Sequence, residues 1–188
     1  MILATSELKK IIDDLVDSSS FSEIRGSSID LAIGEKALIP KGGVINLFEN
    51  KLDDAEFFDE IELAKGYDLN PGCYMYASSA EKVSIPKDKC AILLPRSTLS
   101  RMGLLLPSSM YANPGYEGHL PIIIHNASPF VFKIPPYYRV MQMILCELKG
   151  EASVYKEQND AKYFGEKSTL KPLFDDFNLE DVLKKINL

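Results

Sequence analysis

AILLPRSTLSRMGLLLPSSMYANPGYEGHLPIIIHNAS, residues 91–128, alternates short apolar runs with polar, glycine-rich and proline-rich punctuation. Runs 92–94 and 120–124 have the aliphatic composition of buried strands. The segments between them, Arg-Ser-Thr at 96–98 and Asn-Pro-Gly-Tyr-Glu-Gly at 113–118, read as turns. Strands of this kind form a rigid frame, and the loops they display are where binding and catalytic side chains concentrate.

Outward from this stretch the chain keeps a β character. Strands are predicted at 28–34, 73–77, 82–85, 91–94, 104–106, 120–124, 130–134 and 140–145, punctuated by Pro and Gly, which suggests a barrel or jelly roll. Leu8, Ile11, Ile12, Leu15 and Val16 share one helical face, so an amphipathic helix is predicted over 6–17 with Ser6 as N-cap. At the other end, Leu179, Val182, Leu183 and Ile186 predict a short helix behind Asn178. Segment 149–167, polar with isolated aromatics, reads as an arm. The acidic stretch 49–65 reads as a solvated face with an apolar underside.

The 188 residues, 46% hydrophobic and 26% charged, suit a single domain spanning 1–188, with the N-terminal helix inside 1–20 and the arm and terminal helix inside 150–188. A net charge of −6 argues against a nucleic acid polymer as partner, because neutralising a phosphate backbone takes a basic face. A small nucleotide needs only a few well-placed cations and donors. Cys73, Cys90 and Cys146 lie far apart in sequence, lack metal-ligand spacing, and read as buried reduced thiols. No leader and no run of the ~20 apolar residues of a membrane span is evident, so a cytoplasmic location without membrane contact is expected.

Arg96-Ser97-Thr98-Leu99-Ser100-Arg101-Met102-Gly103-Leu104 resembles the Arg-Ser-Ser-Leu-Ala-Arg-Leu-Gly-Leu segment of the dCTP deaminase and dUTPase family, the deaminase branch more closely. Pro114-Gly115-Tyr116-Glu117-Gly118-His119 resembles its Pro-Gly-Phe-Glu-Gly-His turn. The similarity extends to Gly26 through Leu31, Arg139 through Gln142, and Asp160 through Tyr163. It implies a mostly β, dUTPase-like barrel or distorted jelly roll with short helices at both ends, assembled as a homotrimer with sites between chains. The implied substrate is a deoxynucleoside triphosphate, with a deoxypyrimidine favoured, that carries Mg2+.

By the same resemblance Arg96, Ser97, Thr98 and Arg101 face the phosphates or the scissile region. Tyr116 packs on the sugar, and Gln142, Tyr155, Lys162, Tyr163 and Glu166 border the substrate, Lys162 and Tyr163 closing over it from the arm. The bare pattern leaves both readings open, since Arg-Ser turns also cap helices and turn aromatics are common. Asp30, in a predicted strand, is either a hydrogen-bonded structural carboxylate or a group that positions nucleotide or metal-bound water.

Three positions depart from the family pattern. Ile123 stands where the deaminase keeps the glutamate that moves protons during attack at C4 of cytosine, and isoleucine moves none. Asn113 replaces the acid of the Asp-Pro-Gly turn, and Glu166 replaces a phosphate-binding glutamine. Arg101, Ser97 and Asn113 remain the candidate catalytic groups. His125, two residues from Ile123 on the same strand face, is either a substitute base or an interface histidine. A nucleotide-binding sensor or regulatory pseudoenzyme, a diphosphatase with altered chemistry, and a structural trimerisation module are the competing readings.

Overall fold

The computed structural model describes residues 1–17, 21–45, 57–158, 161 and 163–165. Its longest strand, β2 (Ser28–Pro40), begins with seven consecutive buried residues and organises the rest. The first half of β2 pairs antiparallel with β1 (Glu23–Arg25) and β11 (Arg139–Glu147). Its second half pairs with β3 (Phe58–Glu62) and β5 (Tyr74–Ser84). Register shifts interrupt the β11 pairing between Arg139 and Met141 and the β5 pairing between Ile33 and Ala37. Such irregularities add twist and bend strands. The sheet therefore curls, in the order β7 (Leu104–Leu105), β9 (Glu117–Asn126), β5, β2, β11, β6 (Lys89–Pro95) and β8 (Tyr111–Ala112). A separate ladder joins β10 (Phe132–Ile134) to β4 (Tyr67–Leu69).

Alternation along each strand separates core from surface. On β9, Leu120, Ile122 and Ile124 are buried, while His119, Pro121, Ile123 and His125 face outward and are half-buried. The buried set joins Ile29, Leu31, Ile33, Met75, Leu93, Met143 and Leu145 in one core. Helix α1 (Thr5–Leu15) adds Leu8 and Leu15 to it. This is the curled, mostly β architecture expected for a dUTPase-like fold, with its N-terminal helix.

Several boundaries differ from the sequence reading. The first helix is capped at Ala4 rather than Ser6, with no side-chain cap; the neighbouring Thr5 hydroxyl donates instead to the Gly26 carbonyl. Segments 73–77 and 82–85 meet in one strand, β5, which runs through the polar stretch between them with a register shift against β9 between Ser78 and Lys82. Phe130 and Val131 are exposed and precede β10. The Arg-Ser-Thr turn is the start of a short helix, α2 (Ser97–Arg101). The acidic stretch includes β3, where Asp59, Glu60 and Glu62 are exposed above buried Phe58 and half-buried Ile61, and Lys36 bridges Glu60 and Glu62. Lys162, Glu166 and the predicted C-terminal helix at 178–186 lie outside the described residues.

Candidate functional site

At the end of β6, Pro95 hands the chain to Arg96, whose extended backbone (φ −68°, ψ 135°) caps α2 by accepting the Leu99 N–H at 3.0 Å. Leu99 is buried and anchors the helix, which turns Ser97, Thr98, Ser100 and Arg101 to solvent. Gly103 then takes φ +85° where an added Cβ would fall 2.9 Å from that of Ser128, so glycine is required there on both counts.

The Arg96 side chain turns back toward the sheet. Its Nε meets Asp30 Oδ2 at 3.0 Å, and a terminal nitrogen donates to the Arg139 carbonyl at 3.2 Å. Gln142 Nε2 donates to the other Asp30 oxygen at 3.4 Å. Asp30 is only 1% exposed, so a buried carboxylate fixes the guanidinium that opens α2. Asp30 and Gln142 thus act on Arg96 in this geometry, which gives Asp30 a structural role. Arg101 is exposed and forms no ion pair among the described residues.

The second part of the site is the turn at 113–118. Tyr116 N–H donates to the Asn113 carbonyl, and Gly115 and Tyr116 exchange main-chain bonds with Ile85. Tyr116 is 6% exposed; its hydroxyl donates to the His119 carbonyl at 2.7 Å and its ring packs on Tyr155, with centroids 5.8 Å apart. It therefore serves as a packed support among the described residues. Gly115, at φ +72°, leaves room for Val154: a Cβ would approach Val154 Cγ1 to 2.2 Å.

The C-terminal arm lies across this turn. Tyr155 N–H donates to the Pro114 carbonyl at 2.8 Å, Tyr163 N–H to the Tyr155 hydroxyl at 3.2 Å, and Gly165 N–H to the Glu117 carbonyl at 2.8 Å. Tyr155, buried, is the pin that holds the arm.

The third part is the outward face of β9. Ile123 opposes Tyr76 on β5, and His125 opposes Tyr74 on β5 and Leu105 on β7. Tyr74, Tyr76 and Phe58 form an edge-to-face aromatic series. Burial, then the neighbouring hydroxyls of Tyr74 and Tyr163, raises the Tyr76 pKa above its ordinary value. The Ile123 N–H is satisfied by the buried Ser108 hydroxyl at 2.7 Å. Along β9, the neighbours of Ile123 on this face are Pro121 and His125.

One buried acid escaped the sequence reading. Glu81, fully buried in the irregular part of β5, takes the Ala32 N–H between its two oxygens at 3.2 and 3.1 Å and also a bond from the Phe21 main chain. Burial pushes its pKa up to about 7 against the lowering effect of those bonds. Next to it, Ser79 accepts the Leu120 N–H and donates to the Glu81 carbonyl, while His119 Nδ1 lies 2.9 Å from the Ser79 carbonyl. His119 and Glu81 are thereby committed to the sheet. A carboxylate within Ser-Ser-Ala-Glu-Lys-Val, between strand-like runs, was the available signal.

Comparisons agree with this architecture. The family model described as dCTP deaminase-like matches residues 2–148. The dUMP-forming dCTP deaminase of Nanoarchaeum equitans is 29% identical over 94% of this chain and 100% of its own length. The dCTP deaminase of Pyrobaculum islandicum is 31% identical over 81% of this chain and 88% of the relative. Among solved structures, the 2'-deoxycytidine 5'-triphosphate deaminase from Agrobacterium tumefaciens has a TM-score of 0.62 at 21% identity and covers 77% of this chain. The aligned region is 47% of that protein, so there the likeness is one of fold over less than half its length.

Proposed function

The chain belongs to the dCTP deaminase-like family, and we propose that it binds and hydrolyses a deoxypyrimidine nucleoside triphosphate through a site that keeps the family's phosphate side but lacks its proton shuttle. One observation carries this reading: on the outward face of β9, the position matched to the shuttle is Ile123, opposite Tyr76. A positioned acid-base group is worth ~10²–10⁴ in rate, so deamination at C4 by the usual route is weak or absent. The bonds left to hydrolyse are in the triphosphate. Relatives named as dUMP-forming lose both the amino group and diphosphate in turning dCTP into dUMP, which supports the second chemistry here.

Arg101 supplies a fixed charge to the phosphates, with Ser97 and Thr98 as short donors beside it. Arg96 orients α2 from behind, held by Asp30. Lys162 and Tyr163 close over the nucleotide, and Asn113 holds the attacking water by hydrogen bonds without acting as a base. Mg2+ enters as part of the substrate, carried by its phosphates. A cation there also offsets the repulsion between Glu166 and the phosphates.

The working unit is a homotrimer with the site shared between chains. Ile92, Leu94 and Tyr111 are 37–46% exposed and adjoin one another across β6 and β8, beside half-buried Ile144 of β11. An apolar sheet face of this kind is suited to a second copy. Among the described residues, no helix is long and apolar enough to cross a membrane; the proposed place of work is the cytoplasm.

A second reading, a nucleotide-binding sensor, draws on the same Ile123 and on Asn113. Incubating the protein with each deoxynucleoside triphosphate and Mg2+ and resolving the products separates the two. Monophosphate from a deoxypyrimidine substrate is the expected result. Unchanged nucleotide with measurable binding supports the sensor, and absence of binding overturns both.

A further inference from the structure

The three cysteines are far apart in sequence, but antiparallel pairing brings two of them together. Cys90 of β6 and Cys146 of β11 are direct cross-strand partners, flanked by Ala91 with Leu145 and by Lys89 with Glu147. Both are free thiols. Direct partners in an antiparallel pair present their side chains on one face, and their Cα atoms lie about 4.5–5.5 Å apart, within the range a disulfide spans. Burial alternation agrees: Cys90 shares its face with Ile92 and Leu94, and Cys146 with Ile144 and Gln142.

We propose that Cys90 and Cys146 form a two-thiol oxidation site, which reduces a small-molecule disulfide and closes a β6–β11 cross-strand bridge. The two thiols differ in access, and that difference orders the steps. Cys146 is half-buried at the polar end of the face, beside Glu147 and the N-terminal residues, whereas Cys90 is 8% exposed. The Cys146 thiolate attacks the small disulfide, releasing one thiol and leaving a mixed disulfide. Cys90, deprotonated to solvent, then attacks Cys146 Sγ and expels the second thiol. Two protein thiols are oxidised, one external disulfide is reduced to two thiols, and the electrons balance.

The bridge ties the strand that ends at Arg96 to the strand that carries Gln142. Both residues contact Asp30. It also closes a long loop of chain, which restricts the unfolded state. Cys73 is exposed at the start of β5, pairs across to neither of the other two, and serves as an internal reference.

The test treats the full folded chain with excess oxidised glutathione, alkylates remaining thiols under denaturing conditions, and maps non-reduced peptides. A Cys90–Cys146 peptide is expected, exceeding glutathione adducts at Cys146 by more than about ten-fold because the second step is intramolecular. Cys90→Ser should stop at a stable adduct on Cys146; Cys146→Ser should leave Cys90 unmodified. Cross-links confined to Cys73, a persistent Cys146 adduct in the wild type, or two alkylated thiols would each overturn the proposal, and the wild-type map gives these answers even if a serine variant does not fold.

Discussion

The corner between β6 and α2 and the outward face of β9 are both parts of one candidate site, yet they are built on opposite principles. At the corner a buried carboxylate, Asp30, holds Arg96, and the short helix behind it displays Ser97, Thr98 and Arg101. On β9 the outward residues include Ile123 and His125, set against Tyr76 and Tyr74. The first region is organised by charge and the second by apolar and aromatic packing. On the proposed function, recognition of phosphates and transfer of protons would rest on different strands, so one can be lost while the other is retained.

The largest test of that contrast is to return an acid to the apolar region. Ile123→Glu should raise ammonia release from dCTP, recovering part of the ~10²–10⁴ that a positioned acid-base group supplies. The new carboxylate meets a desolvating surface and will have a raised pKa, so the variant should also be less stable. A folded variant that binds dCTP yet releases no more ammonia than wild type removes Ile123 as the missing element.

Next in size is the charged region. Asp30→Asn leaves Arg96 without its buried partner, and chemical denaturation should show a loss of about 3 kcal/mol, since breaking such a pair exposes the uncompensated charge to a poor environment. Affinity for triphosphate should fall in parallel as α2 loosens. Unchanged stability would mean that Arg96 is held by other contacts.

Glu81 asks whether the β9 side keeps an acid that matters behind its sheet. Its pKa is pushed from 4.5 to about 7 in the folded chain, so the native state binds the proton more tightly. Its stabilising contribution is full below about 4.5 and is lost as pH rises through about 7. Relative to Glu81→Gln, the wild type should lose at most about 3 kcal/mol across that window, read from urea midpoints at several pH values. A difference independent of pH would show that the carboxylate is solvated.

Arg101→Ala should cost ~1.5–3 kcal/mol in triphosphate binding and leave nucleoside binding nearly unchanged, by calorimetry with both ligands. Equal losses would assign Arg101 to the structure rather than to phosphate.

Much of this contrast was legible in the sequence, and for identifiable reasons. Alternation on β9 gave the shared face of Ile123 and His125, and proline and glycine marked most strand ends. The pairing of Asp30 with Arg96 was not legible, because residues 66 positions apart meet only through the registers of β2, β11 and β6. Tyr116 looked like a ligand-facing aromatic because its turn matched the family; its burial depends on the arm that crosses Pro114. Likewise Glu81 reads as a surface residue until the irregular stretch of β5 points it inward. Strand period survives in local sequence, whereas bulges and long-range register do not.

The central claim is that phosphate recognition persists where proton transfer at C4 does not. It is tested most directly on one preparation of wild-type protein, by calorimetric titration with dCTP and Mg2+ alongside an ammonia assay of the same mixture. Saturable binding with ammonia release weak or absent is the expected result. Robust ammonia release would contradict it and make His125 the first group to examine, and absence of binding would contradict the retained phosphate side.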